Sequence, residues 1–243
     1  MTQLIKLLAG NRGRAPAPRA LVTDGDETTI YLYDAIVSDN ATAEWWGGVS
    51  AQALVPQIRE IKAGTIHLRI NSPGGDVFAA QAICQAIRDT GAKVVAHIDG
   101  FAASAATVIA TAADEIEISE GGMYMVHCGW TFCMGNSIEM RSTADLLDKV
   151  DSTICAQYAR KTGRTPEDVL AIMQAETWYT AQEAVDAGFV DSVSASPKVK
   201  AAWDLSAYAN APKQTQDIDN SITDEHRARQ QQRMNMLARL QVS

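Results

Sequence analysis

Residues 65–104 read TIHLRINSPGGDVFAAQAICQAIRDTGAKVVAHIDGFAAS, and this stretch decides the fold. Thr65–Ile70 alternates apolar and polar side chains, which predicts a strand. NSPGG follows as a turn. DVFAAQAICQAIRDTG has the spacing of an amphipathic helix and ends at Gly91. Lys93–Ile98 predicts the next strand, and Gly100 leads into a second helix built from small residues. A strand, a crossover helix and a strand in this order imply parallel pairing and a right-handed connection.

The same alternation extends outward. Thr28–Val37 is β-branched and aromatic and predicts a strand, and residues 50–64 predict a helix ending at Gly64, with Pro56 inside it. EIEI and MYMVH predict short strands. The longest helix is expected over Ile138–Lys161, where Met140, Ala144, Leu147, Ile154 and Tyr158 recur at helical spacing. Thr165 with Pro166 marks one helix start, and Thr180 with Glu183 forms a capping box for another, which Gly188 ends before the strand FVDSV. The expected class is α/β, built on repeated strand–helix units with one long protruding helix.

Three regions are expected: a basic, loop-like segment over 1–25, a folded α/β domain over 26–196, and a polar tail over 197–243 with one candidate helix at 224–241. Lys6, Arg12, Arg14 and Arg19 all precede the first acidic residue, Asp24. The net charge of −8 argues against nucleic acid as the main partner. No stretch is long and apolar enough to cross a membrane, and LIKLLAG is too short for a signal-peptide core, so a cytoplasmic location is expected. Cys84, Cys128, Cys133 and Cys155 form no CxxC pair. Cys128 and Cys133 beside His127 lack the second ligand pair a zinc site needs, so no metal and no cofactor are expected.

Two features point to chemistry. In INSPGGD (Ile70–Asp76) a strand enters a turn with two adjacent glycines, whose torsions let bare N–H groups face a cleft. It is not a phosphate loop, since neither GxxxxGK[ST] nor GxGxxG is present. Ser104 sits at the start of a helix, where unpaired N–H groups gather. As an N-cap it would be structural. As a nucleophile it would need a base. Of the four histidines, His67 and His97 fall inside predicted strands and His226 in the polar tail. His127 closes the strand MYMVH and opens a loop, the place where catalytic residues of α/β folds collect.

INSPGGDVFAAQAI, GFAASAATVIATAADEI, MYMVHCG and TWYTAQEAVDAGFVDSV, in that order, resemble the signature segments of the Clp protease proteolytic subunit family. The resemblance runs from about Asp26 to Val193. It implies a crotonase-like fold and a serine endopeptidase acting on polypeptides. It places the nucleophile on Ser104, the base on His127 and the triad acid on Glu176, where the family has aspartate. It assigns the oxyanion hole to the N–H groups of Gly75 and Ala105. An extended substrate is expected to pair beside Asn71, Ser72, Pro73, Gly74 and Cys128.

The resemblance further implies a homo-oligomeric ring, with the long helix at the contact between rings. The terminal segments look more like Clp-type head maturation proteases of tailed phages, which would make capsid or scaffold proteins the substrates. A proteolytic subunit working with an ATPase unfoldase is the alternative. Two other classes stay open at this point: a crotonase-type acyl-CoA enzyme, and an inactive ring-forming assembly protein.

Overall fold

The computed structural model describes residues 3–11, 21–195 and 203–212. β5 (Thr65–Ser72), α4 (Val77–Asp89) and β6 (Lys93–Ala103) make the expected crossover, with β5 and β6 parallel from Thr65 beside Lys93 to Ile70 beside Ile98. β2 (Glu27–Leu32) joins β5 in parallel, and β1 (Leu21–Asp24) pairs antiparallel at that edge. On the other side β7 (Glu115–Ser119) pairs with β6, and β10 (Ser192–Ser194) with β7.

One face of this sheet is apolar. Ile66, Leu68 and Ile70 of β5 meet α3 (Ala51–Arg59), α4 and α5 (Ala105–Ala110) through Ile58, Ile83, Ile87 and Ile109, all fully buried. Each such side chain contributes about 1.5–3 kcal/mol on burial. The other face carries the alternate residues. His67 Nδ1 lies 3.0 Å from His97 Nε2, His97 Nδ1 lies 3.2 Å from Glu117, and Arg69 Nε donates to Asp99 at 2.9 Å. Burial and the Asp99 carboxylate push the Tyr33 phenol up to about 12.

The eleven residues of β6 serve two neighbours. Val95–Ile98 pairs with β7, while Phe101–Ala103 pairs with β8 (Met123–Val126), which in turn pairs antiparallel with β9 (Thr177–Thr180). This fork brings the end of β6 beside the end of β8.

α6 (Ser137–Thr162) has 26 residues, and at about 1.5 Å per residue it is roughly 39 Å long. Asn136 and Glu139 form its capping box, and Gly163 ends it in the left-handed region. Ile154, Cys155 and Tyr158 in its second half are buried, whereas Ile138, Met140 and Leu146 in its first half are exposed. The expected starts of α7 (Pro166–Gln174) and α8 (Ala181–Asp186) hold, with Thr165 and Thr180 as caps. All four cysteines are free thiols.

Four expectations need correction. Thr28–Val37 is not one strand: it divides into β2 and the short β3 (Ile36–Val37), which pairs with β4 (Val49–Ser50). α3 stops at Arg59, short of Gly64. The loop-like N-terminus contains α1 (Gln3–Gly10), whose Leu7 and Leu8 are buried. The spacing of Leu4, Leu7 and Leu8 is that of a helix face, outweighed in the sequence reading by the Pro- and Arg-rich residues after it. Residues 203–211 fold back onto the domain, and Trp203, Leu205 and Tyr208 are buried with Phe101, Ala103 and Met125. The candidate helix at 224–241, with His226, lies outside the described residues.

Candidate active site

The fork in β6 sets the central geometry. Ala103 pairs with Met125, and one step on, the Ser104 N–H donates to the Met125 carbonyl at 2.9 Å. His127 follows directly after β8. Its Nε2 lies 2.7 Å from Ser104 Oγ. Ser104 precedes α5, yet its side chain makes no capping hydrogen bond. The hydroxyl is therefore turned to the imidazole, not to the helix. The backbone at Ser104 has φ 55°, in the left-handed region. A non-glycine residue there holds strain that the surrounding structure must sustain.

The glycine turn lies against this serine. A Cβ on Gly74 would come 2.5 Å from the Ala103 carbonyl and 2.8 Å from Ser104 Cβ. A Cβ on Gly75, at φ +148°, would come 2.0 Å from the Ile36 carbonyl. Gly75 is held by bonds made by its neighbours. Ile36 N–H donates to Gly74 O at 2.8 Å, and Asp76 N–H donates to Ile36 O at 2.9 Å. In a parallel bridge this leaves the Gly75 N–H facing away from the partner strand. The Ala105 N–H is at the first position of α5 and has no intrahelical acceptor. Gly75, Ser104, Ala105 and His127 all line one cavity of about 470 Å³.

The rest of that cavity is largely apolar, with Val108, Leu147, Val150, Ile154 and Tyr158 among its walls. Cys128 lines it too, and burial, aided by Asp151, pushes its thiol up to about 12. Asn71, Ser72, Pro73 and Gly74 do not line it. All four are buried, and the Ser72 hydroxyl is used internally, donating to Asp34 O at 2.7 Å and accepting from Gly74 N–H at 3.2 Å.

Burial pulls the His127 imidazole down to about 4, and the Glu176 carboxylate opposes this by favouring the cation. Near neutral pH the ring is uncharged and able to accept the serine proton. For Nε2 to accept from Ser104, the hydrogen of the neutral ring must be on Nδ1. Among the described residues no hydrogen bond joins that Nδ1 to Glu176. The Glu176 carboxylate instead accepts from the N–H groups of Ala209, at 3.1 Å, and Asn210, at 2.6 Å. Glu176 follows the end of α7 at φ 47°, a place that usually takes glycine.

Tyr208 is the residue that sequence reasoning missed. Its ring stands edge-on to His127, with centroids 5.4 Å apart at 84°. Its hydroxyl donates to the Pro73 carbonyl and interacts with the Ser104 side chain. The apolar set Trp203, Leu205 and Tyr208 was the available signal, inside a stretch otherwise read as polar tail.

The family model for Clp protease matches residues 26–197. This chain belongs to the Clp protease family. A Clp-family relative, the ATP-dependent Clp protease proteolytic subunit 1 of Leifsonia xyli subsp. xyli, is 31% identical over 169 residues, which cover 69% of this chain and 83% of that protein. The ATP-dependent Clp protease proteolytic subunit of Streptococcus pneumoniae (strain Hungary19A-6) is 32% identical over 135 residues, 54% of this chain and 69% of that one. The fold is that of a ClpP1 point mutant from Listeria monocytogenes, with a TM-score of 0.57 and 24% identity, covering 68% of this chain and 90% of that one. As a Clp-family protein the chain is a serine-type peptidase with a ClpP-like α/β fold. Tyr208 lies beyond the residues that the family model matches.

Proposed function

We propose that the chain is an endopeptidase that cleaves proteins with Ser104 as nucleophile and His127 as general base. The observation that carries this is the 2.7 Å contact between Ser104 Oγ and His127 Nε2, beside two N–H groups with no acceptor among the described residues. His127 takes the Ser104 proton as Oγ attacks the peptide carbonyl. The oxyanion forms toward the N–H groups of Gly75 and Ala105. The imidazolium then gives its proton to the leaving amine, and a water molecule repeats the sequence on the acyl-enzyme. Glu176 acts from a distance, by stabilising the imidazolium with its charge.

A neutral histidine within hydrogen-bonding distance of the serine supports this reading over an acyl-CoA enzyme, which has no use for the pair. It also supports it over an inactive assembly protein. A fluorophosphonate probe tests it. Labelling at Ser104, lost in Ser104→Ala and suppressed in His127→Ala, is the expected result. An unlabelled wild-type protein overturns it.

The exposed apolar residues Ile138, Met140 and Leu146 on α6 support a homo-oligomeric ring, with the active sites facing its interior. The natural substrates we propose are capsid or scaffold proteins, processed during phage head maturation in the cytoplasm of a host cell. What favours a dedicated substrate is that the segment packed behind the site lies outside the family match. Mass spectrometry of a co-expressed capsid or scaffold protein checks this through discrete products that Ser104→Ala abolishes. A second reading, work alongside an ATPase unfoldase, is favoured by the ATP-dependent proteases named among its relatives. Degradation of a folded protein only when an unfoldase and ATP are added would support it.

A further inference from the structure

The segment after the family match does more than cover an apolar patch. Trp203 and Leu205 bury themselves against Phe101, Ala103 and Met125, side chains of the strands that end at Ser104 and His127. That anchoring delivers three groups to the rear of the site, on residues that do not line the substrate cavity. The Ala209 and Asn210 N–H groups hold the Glu176 carboxylate, and Asn210 Nδ2 donates to Ala175 O at 2.9 Å. The Tyr208 hydroxyl reaches Pro73 O, two residues before Gly75. The Tyr208 ring closes one side of the imidazole. Buried tyrosine hydroxyls need partners, and here the partner is a carbonyl of the turn that carries an oxyanion donor.

We propose that Tyr208 is a positioning residue of this peptidase: its hydroxyl fixes the Pro73–Gly75 turn, and its ring fixes His127 and keeps water from it. The inference rests on the Ser104–His127 reading above. Proton counting defines the arrangement. The tyrosine hydrogen goes to Pro73 O, so toward Ser104 the phenol oxygen can only accept, and the single hydrogen of Ser104 has two acceptors beside it, that oxygen and His127 Nε2. Tyr208 moves no proton itself; it sets where the reacting atoms stand.

The test measures peptide hydrolysis and fluorophosphonate labelling against pH for the wild type, Tyr208→Phe, Tyr208→Ala and Leu205→Ala. Tyr208→Phe keeps the packing and loses only the hydroxyl. Its kcat should fall roughly tenfold to a hundredfold with KM little changed, the scale of a small misplacement of reacting groups. Tyr208→Ala should also lift the acidic limb of the profile from about 4 toward the ordinary histidine value of 6.5, because water then reaches the ring. Leu205→Ala loosens the same cluster away from the triad. It should lower the melting temperature while leaving the limb in place, which separates loss of packing from loss of positioning.

A Tyr208→Phe enzyme as fast as the wild type, or faster, overturns the inference while leaving the serine peptidase reading intact. So does an acidic limb that Tyr208→Ala leaves unmoved. A wild-type protein that the probe fails to label overturns the site reading, and this inference with it.

Discussion

Glu176 gives its carboxylate to the backbone of Asn210, at 2.6 Å, rather than to the imidazole of His127. Its influence on the ring is electrostatic, raising the affinity of His127 for a proton. Glu176→Gln should therefore lower kcat by about tenfold, or about 1.4 kcal/mol. That is far less than the roughly 10⁴-fold lost when a directly bonded triad acid is amidated. The acidic limb should move to lower pH, since the group that favoured the cation is gone. Steady-state kinetics across pH 3.5–8 (about the range in which such an enzyme is measurable) would check both signs.

Gly75 has no side chain to do chemistry, yet its replacement should be severe. A Cβ there would sit 2.0 Å from the Ile36 carbonyl at φ +148°. Gly75→Ala must push the turn away from β3 and carry its N–H out of line. Loss of one oxyanion donor lowers kcat by about 10²–10³. A far-ultraviolet spectrum that stays native alongside that loss would separate misplacement of the donor from unfolding.

Acid should affect rate and stability in different windows. With His127 at about 4 in the folded chain, activity should persist from pH 7 to near pH 5 and be halved near 4. Between about 6.5 and 4 the unfolded chain binds a proton that the folded chain refuses, so stability falls as pH falls through this range. In His127→Gln the decline in melting temperature over the same range should be shallower. Equal slopes for the two proteins would contradict the burial of a neutral imidazole.

Val108, Leu147, Val150 and Ile154 line the cavity next to Ser104, so the side chain preceding the scissile bond should be large and apolar. Peptides with leucine, methionine or phenylalanine at that position should exceed those with aspartate in kcat/KM by at least about tenfold, given roughly 1.5–3 kcal/mol for burying such a side chain. Val108→Asp should compress this ratio. A peptide library read by mass spectrometry supplies the comparison.

Much of the site was legible in the sequence because it depends on short-range pattern. The strand before NSPGG alternates, the strands before Ser104 and His127 are short apolar runs, and a parallel sheet brings such ends to one edge. Ser104 could be singled out, but its role could not. Whether its hydroxyl capped α5 or faced a base depended on a backbone torsion of 55°, which only the assembled fold imposes. Asn71 and Ser72 stood beside the right turn and proved to be buried under it, since adjacency in sequence does not fix which side faces the cleft. Tyr208 was invisible for another reason. Its partners, Pro73 and His127, are distant along the chain, and the few apolar residues that dock it are diluted among polar ones.

The wall of the cavity has a consequence of its own. Leu146 and Leu147 line the cavity from the first half of α6, where Leu147 is half-buried and Leu146 is 52% exposed. A second copy gripping the outer side of the helix would brace that wall. Turnover per molecule should then depend on how much protein is in the tube: diluting the enzyme should blunt it well before any molecule unfolds, and reconcentrating the same sample should bring it back.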